Sequence, residues 1–255
     1  MKRIVKFIIL DILKNKIILF YTVLLSILSW SVFSLEDNNT KGLLSLLNVV
    51  LLTVPLFAIV FSTIYLYNSA EFIELLLSQP IRRSKIWSSL FLGLTLSLLL
   101  AYFIGAGIPI LIYSPPDVGF MMLIVGFFVS TVFVSLAFLA SIITRDKAKG
   151  IGISILLWLF FTLLFDGLIL FMMFQLVEYP IEKMMVVFTA FNPVDLSRIL
   201  ILLHLDVSVM LGYTGAVFKD LFGTKMGLFF AFIVLLLWAI VPFYISLIKF
   251  KNKDL

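Results

Sequence analysis

One carboxylate, Asp166, lies in the middle of the apolar run LLWLFFTLLFDGLILFMMF. A charge near the centre of a bilayer costs at least about 2.5 to 3.5 kcal/mol on insertion scales, so the group must face protein or water, or carry a proton. Ser154, Trp158, Thr162 and Asp166 follow one another at intervals of four, which places them on one stripe of a helix. That stripe either lines a pathway between two copies of the chain or makes a polar helix contact. Met121, Met122, Met172, Met173, Met184, Met185, Met210 and Met226 all fall at or beyond the same ends of the apolar runs. Thioethers are soft ligands suited to copper(I), which makes Met172, Met173, Met184 and Met185 candidate copper contacts; Met is equally a flexible apolar filler. His204 is the one histidine and has no second ligand near it in sequence. With no cysteine, one histidine and one acid in an apolar run, the chain cannot assemble a nucleophile triad, an HExxH zinc site or paired catalytic carboxylates. No catalytic residues are therefore expected.

The elements that must hold these residues follow from composition. Of 255 residues 63% are hydrophobic and 13% charged, against roughly 25% charged in a soluble domain. A soluble enzyme, a nucleic-acid binder and a disordered chain are all excluded, and the reading is an all-α polytopic membrane protein forming a single transmembrane domain over 1–255. A span needs about 20 mainly apolar residues. Six stretches qualify, 17–35, 42–67, 86–112, 120–143, 151–176 and 226–248. Residues 1–16 put Ile4, Phe7, Ile8 and Ile12 at helical spacing, with Lys2, Arg3, Lys6 and Lys14 off that stripe. This predicts a retained helix lying in the membrane interface. Residues 177–225, broken by Asp195, Arg198, His204, Asp206 and Lys219, are placed outside the bilayer. With both termini in the cytoplasm, 14 of the 19 Lys and Arg residues fall inside, as the positive-inside rule requires. A bacterial or archaeal inner membrane fits.

Small residues mark helix contacts in lipid. Gly126, Ser130, Ala137 and Ser141 form such a ridge on span four, and Thr22, Ser26 and Ser29 another on span one. Gly105, Gly107 and Pro109 predict a bend near the outer end of span three.

The loop 68–85 joins spans two and three. Glu71, Phe72, Leu75 and Leu76 can share one face of a short surface helix that Pro80 ends, and Arg82, Arg83 and Lys85 then meet the lipid headgroups. On these features alone the loop is equally well an interfacial anchor. An acidic, aliphatic helix followed by Ser78-Gln79-Pro80-Ile81 and a basic pair nevertheless resembles the coupling helix of type-2 ABC exporter permeases. The resemblance implies six spans, an amino-terminal interfacial helix and a short re-entrant element before span six. It also implies that Glu71, Phe72, Glu74, Leu75, Leu76, Leu77, Gln79, Pro80, Arg82 and Arg83 dock onto a separate ATPase. The chain has no GxxxxGK[ST] phosphate loop, so ATP and Mg are expected only on that partner.

The segment before span six contains, from Asn192, the stretch NPVDLSRILILLHLDVSVMLGYTGA. Asn192 and Pro193 make a good helix start, and Leu196, Ile199, Leu200 and Leu203 predict an amphipathic helix at the outer surface. Gly212 and Gly215 argue against a continuous helix beyond it, and Gly223 is a plausible stop. Asn192-Pro193-Val194-Asp195 with Arg198, and Asp206-Val207-Ser208 followed by Leu211 to Ala216, resemble the outer region of the NosY permeases, membrane subunits of ABC complexes that mature nitrous oxide reductase. That resemblance implies two permease copies, two cytoplasmic ATPase subunits and a periplasmic β-helical protein that helps deliver copper. Asn192, Pro193, Asp195, Arg198, Asp206, Tyr213 and Gly215 would contact that protein, with export of a sulfur species a further implication. A type-2 exporter of a lipid, drug or glycan is the alternative.

Overall fold

The computed structural model describes residues 2–36, 39–175, 188–204 and 212–252. Among them every regular element is helical. A short helix α1 (Lys2–Leu13) leads, by a turn at Asn15, into α2 (Lys16–Leu35). The Asn15 side chain accepts from the Ile17 N–H at 2.9 Å and so satisfies one of the free donors that begin a helix. The order continues with α3 (Asn39–Asn68), α4 (Ala70–Leu77) and α5 (Arg83–Tyr102). A π turn at Phe103–Gly107 joins α5 to α6 (Ile108–Tyr113), and α7 (Pro116–Ile143) follows. Then come α8 (Lys147–Leu159), a second π turn at Phe160–Leu164, α9 (Phe165–Gln175), α10 (Pro193–His204) and α11 (Gly212–Lys251).

Six helices are long and apolar enough to cross a membrane: Lys16–Leu35, Lys41–Asn68, Arg83–Tyr113, Pro116–Ile143, Lys147–Met172 and Lys225–Lys251. Each overlaps one of the six stretches read from the sequence; most ends are equal or longer by up to four residues, while the fifth span closes at Met172 rather than at 176. At Gly105, Gly107 and Pro109, the expected site of a bend, the helix makes its first π turn. Pro109 has no N–H to give the Gly105 carbonyl, and the extra residue of the π turn absorbs the mismatch.

Span four, α7, is the centre of the bundle and packs against α3, α5, α10 and α11. Val129, Val132, Phe133, Ala137 and Phe138 on it are fully buried. Lipid supplies no hydrophobic drive between helices, so contact rests on close fit. Gly126 shows the fit: a Cβ there would lie 2.1 Å from the Tyr102 ring, whose hydroxyl donates to the Met122 carbonyl at 3.0 Å. The Gly126, Ser130, Ala137 and Ser141 ridge is buried along its length. On span one Ser29 is buried, and the Thr22 carbonyl would stand 2.9 Å from a Cβ on Gly105. The helix α1 lies against α5, with Ile8 and Ile12 fully buried and Ile8 filling the space above Gly93.

Two expectations for the segment before span six are corrected. α10 does not rest on a surface with one wet face: Val194, Ser197, Ile201 and Leu202 are buried together with Leu196, Ile199, Leu200 and Leu203. It sits among α7, α11, α3 and the second π turn, so both its faces meet protein. Nor do Gly212, Gly215 and Gly223 interrupt the chain, because α11 is helical from Gly212 to Lys251. Glycine costs a helix about 1 kcal/mol relative to alanine, chiefly in backbone entropy, which weakens the helix without forbidding it.

Candidate functional site

At the end of the bundle that carries α1, the chain leaves span two, turns at Ser69 and forms α4. Ile73 and Leu76 are its buried side chains and seal the bundle end. Phe72 is half-buried, with its ring 5.4 Å from the ring of Phe7 on α1. Of Glu71, Phe72, Leu75 and Leu76, only Leu76 is fully turned inward, and Leu75 is 66% exposed. Leu75 projects as an apolar knob on a surface that also holds the exposed Glu71 and Glu74. Leu77 is half-buried, and Ser78, Gln79 and Pro80 are exposed in the turn that follows. Arg82, Arg83 and Lys85 stand exposed at the start of span three, and Arg83 Nη1 donates to the Lys251 carbonyl at 3.3 Å.

The joint behind α4 involves residues that sequence reasoning passed over. The Tyr67 hydroxyl donates to the Thr144 carbonyl at 3.1 Å and also meets the Thr144 hydroxyl. Lys147 Nζ donates to Asn68 Oδ1 at 2.7 Å. Gly150 is flat against Tyr67, since a Cβ there would lie 2.2 Å from the phenol oxygen. The stem of α4 is therefore fastened to the start of span five. A cleft of about 400 Å³ beside this joint, between α4 and the ends of spans three, four and six, is lined by Tyr67, Ile73, Glu74, Trp87, Arg145 and Phe250, among others. The one signal for this joint in the sequence is a Tyr at a span end beside a basic loop, a pattern common to most membrane proteins.

At the opposite end, the second π turn brings span five against α10. Asn192 caps α10, its Oδ1 accepting from the Val194 N–H at 2.9 Å. Its Nδ2 donates to the Phe161 carbonyl within the π turn at 3.0 Å and to Asp195 Oδ2 at 2.9 Å. Arg198 Nη1 lies 3.4 Å from Asp166 Oδ2 and 3.5 Å from Asp195 Oδ1. Asp166 therefore meets a cation carried by another helix. Burial first, and the Asp166 carboxylate second, push Asp195 up to about 7, while Arg198 and Asn192 oppose the shift. A protonated Asp195 leaves Arg198 facing the Asp166 carboxylate, both side chains being about a third or more exposed while Asp195 is buried.

The stripe at intervals of four resolves into contacts. The Ser154 and Thr63 hydroxyls bond at 2.7 Å, and the Trp158 indole donates to the Leu52 carbonyl at 3.1 Å, both across to span two. Thr162 bonds back to the Trp158 carbonyl at 2.7 Å. The π turn then shifts the helical phase, so that Asp166 faces α10. Asn192, Pro193 and Asp195, read from the sequence as contacts to an outside protein, are buried and instead hold α10 in place. Tyr213 and Gly215 fall in the first turn of α11, while Asp206 lies outside the described residues. Met172 is half-buried near the end of α9, the Met173 side chain is not described, and Met184 and Met185 lie outside the described residues. His204 is exposed and stands near Asp117 beside a cleft of about 750 Å³.

Residues 50–255 match the family described as ABC-2 family transporter protein. The chain belongs to that family. An ABC-2 permease is the multi-pass membrane subunit of a transporter whose ATPase subunits are separate, and the six spans described above fit that part. The matched region takes in α4, the joint behind it and the Asp166, Asp195 and Arg198 cluster. No curated protein matches the sequence.

Proposed function

We propose that this ABC-2 permease carries movement from a pair of cytoplasmic ATPase subunits, received at α4, through span five to the cluster at its other end. The observation that carries the reading is the exposed Leu75, flanked by Glu71 and Glu74, on a helix otherwise sealed into the bundle by Ile73 and Leu76. An exposed apolar side chain on a rigid, acid-flanked helix suits a socket with a basic rim. Glu71, Phe72, Glu74, Leu75, Leu76, Leu77, Gln79, Pro80, Arg82 and Arg83 form the docking region, with ATP and Mg bound on the partner. Both termini face the cytoplasm, and two copies of the chain assemble in a bacterial or archaeal inner membrane.

The finer reading is a NosY-type permease acting in copper-site maturation of nitrous oxide reductase. It is supported by the words Asn192-Pro193-Val194-Asp195 and Arg198, which meet in one bonded cluster around Asp166. In this reading Asp206, Tyr213 and Gly215 meet the periplasmic β-helical protein, a sulfur species is the exported material, and Met172, Met173, Met184 and Met185 are the residues for copper contact. The second reading, a type-2 exporter of a lipid, drug or glycan, keeps the ATPase docking and drops the periplasmic protein.

Two measurements separate these layers. Leu75→Asp in the assembled complex is expected to uncouple ATPase activity from the membrane subunit by tenfold or more; full coupling would overturn the docking role. Deletion of the gene is expected to leave nitrous oxide reductase short of copper, with recovery on re-expression. A fully loaded reductase in the deletion strain would leave the general exporter reading standing.

A further inference from the structure

We propose that the groove between α1 and span three is a binding site for an anionic phospholipid, with the phosphate at Lys2 and Lys6 and an acyl chain along Val5, Ile9 and Leu92. The groove encloses about 570 Å³ and is lined by Lys2, Val5, Lys6, Ile9, Leu10 and Leu92. Lys2 and Lys6 are four residues apart, hence neighbours on one face of α1, and both are exposed. Val5 and Ile9 are half-buried beneath them, and Leu92 is 39% exposed on span three. A cationic mouth over an apolar floor is complementary to one class of molecule abundant in a membrane, a phospholipid with a negative head.

Two further observations keep this arrangement fixed. The helix cannot roll, because Ile8 fills the space above Gly93 and Ile12 is fully buried beside it. Nor does the acid on α1 neutralise the lysines. Asp11 stands on the far side of the helix from Lys6 and accepts from the Tyr65 hydroxyl at 3.1 Å. Among the described residues no ion pair includes Lys2 or Lys6. Diffuse attraction of a basic helix to a charged surface would need neither the fixed floor nor the pairing of lysines.

The test uses the purified full-length chain, native mass spectrometry and equal amounts of phosphatidylglycerol and phosphatidylcholine with the same acyl chains. The wild type is expected to retain phosphatidylglycerol in preference. Lys2→Gln with Lys6→Gln is expected to lower that preference roughly tenfold or more, from two lysine contacts. Arg at both positions is expected to keep it, and Lys249→Gln with Lys251→Gln to leave it unchanged. Leu92→Trp, which fills the floor, is expected to lower retention of both lipids. An unchanged preference in the Gln pair, an equal loss in the Lys249 and Lys251 pair, or full retention in Leu92→Trp would each overturn the site.

Discussion

Asp195 is a buried acid that shares one arginine with a second acid, and the consequence is a dependence on pH with a definite sign. An Asp in an unfolded chain ionises near about 3.9, whereas burial and the Asp166 carboxylate push Asp195 up to about 7. Between those values the folded chain holds a proton that the unfolded chain has released. Stability must therefore fall as pH rises from about 4 to 7, and change no further above that window through this group. Thermal unfolding of the purified chain at pH 5 and pH 8 should show a higher midpoint at pH 5. Asp195→Asn should remove most of the difference, because an amide has no proton to lose. An equal pH dependence in that variant would place its origin elsewhere. The sequence announced Asp166 by its apolar surroundings but gave no hint of its partner, since Arg198 comes to it from another helix. Helical spacing relates residues within one element only.

Elements show where side-chain volume, rather than polarity, sets the packing. At Gly93 an added Cβ would stand 2.5 Å from Ile8 Cγ2, so α1 and span three have no room for a branched residue there. Gly93→Val should cost about 1 to 3 kcal/mol, read as a lower thermal midpoint and as faster proteolysis of residues 2–13. Gly152, with nothing near its Cβ position, is the control, and Gly152→Ala should be neutral or slightly stabilising. Thr63 and Ser154 test the polar contacts in the same way. Thr63 donates to the Ile59 carbonyl at 2.8 Å, so the proton in its 2.7 Å bond to Ser154 comes from the serine. Thr63→Val removes the acceptor and should cost about 0.6 kcal/mol, the average for such bonds between membrane helices. The double change with Ser154→Ala should cost no more than the sum of the two single changes, since no buried hydroxyl is left without a partner. Span positions were legible in the sequence because apolar length alone defines them. The inward face was less so, because residues facing lipid are as apolar as those facing protein; α10 was read as half-wet for that reason.

For the whole molecule, the arrangement of charge and the order of helices give one further test, that of orientation. An even number of spans puts the two termini on one side, and the contact of Phe7 with Phe72 puts α4 on that side too. Those ends carry 14 of the 19 Lys and Arg residues, which the positive-inside rule assigns to the cytoplasm. Asp117, exposed in the first turn of α7, belongs to the opposite end. The natural absence of cysteine makes the chain its own background for thiol labelling. A membrane-impermeant maleimide applied to intact cells should label Asp117→Cys and leave Gln79→Cys and Asn252→Cys untouched until the membrane is opened. All three positions are exposed, so a difference in labelling reports side and not burial. The reverse pattern would turn the molecule over and remove α4 from the reach of any cytoplasmic ATPase. Labelling of Gln79→Cys and Asn252→Cys on opposite sides would contradict the six-span count itself, because four spans separate them.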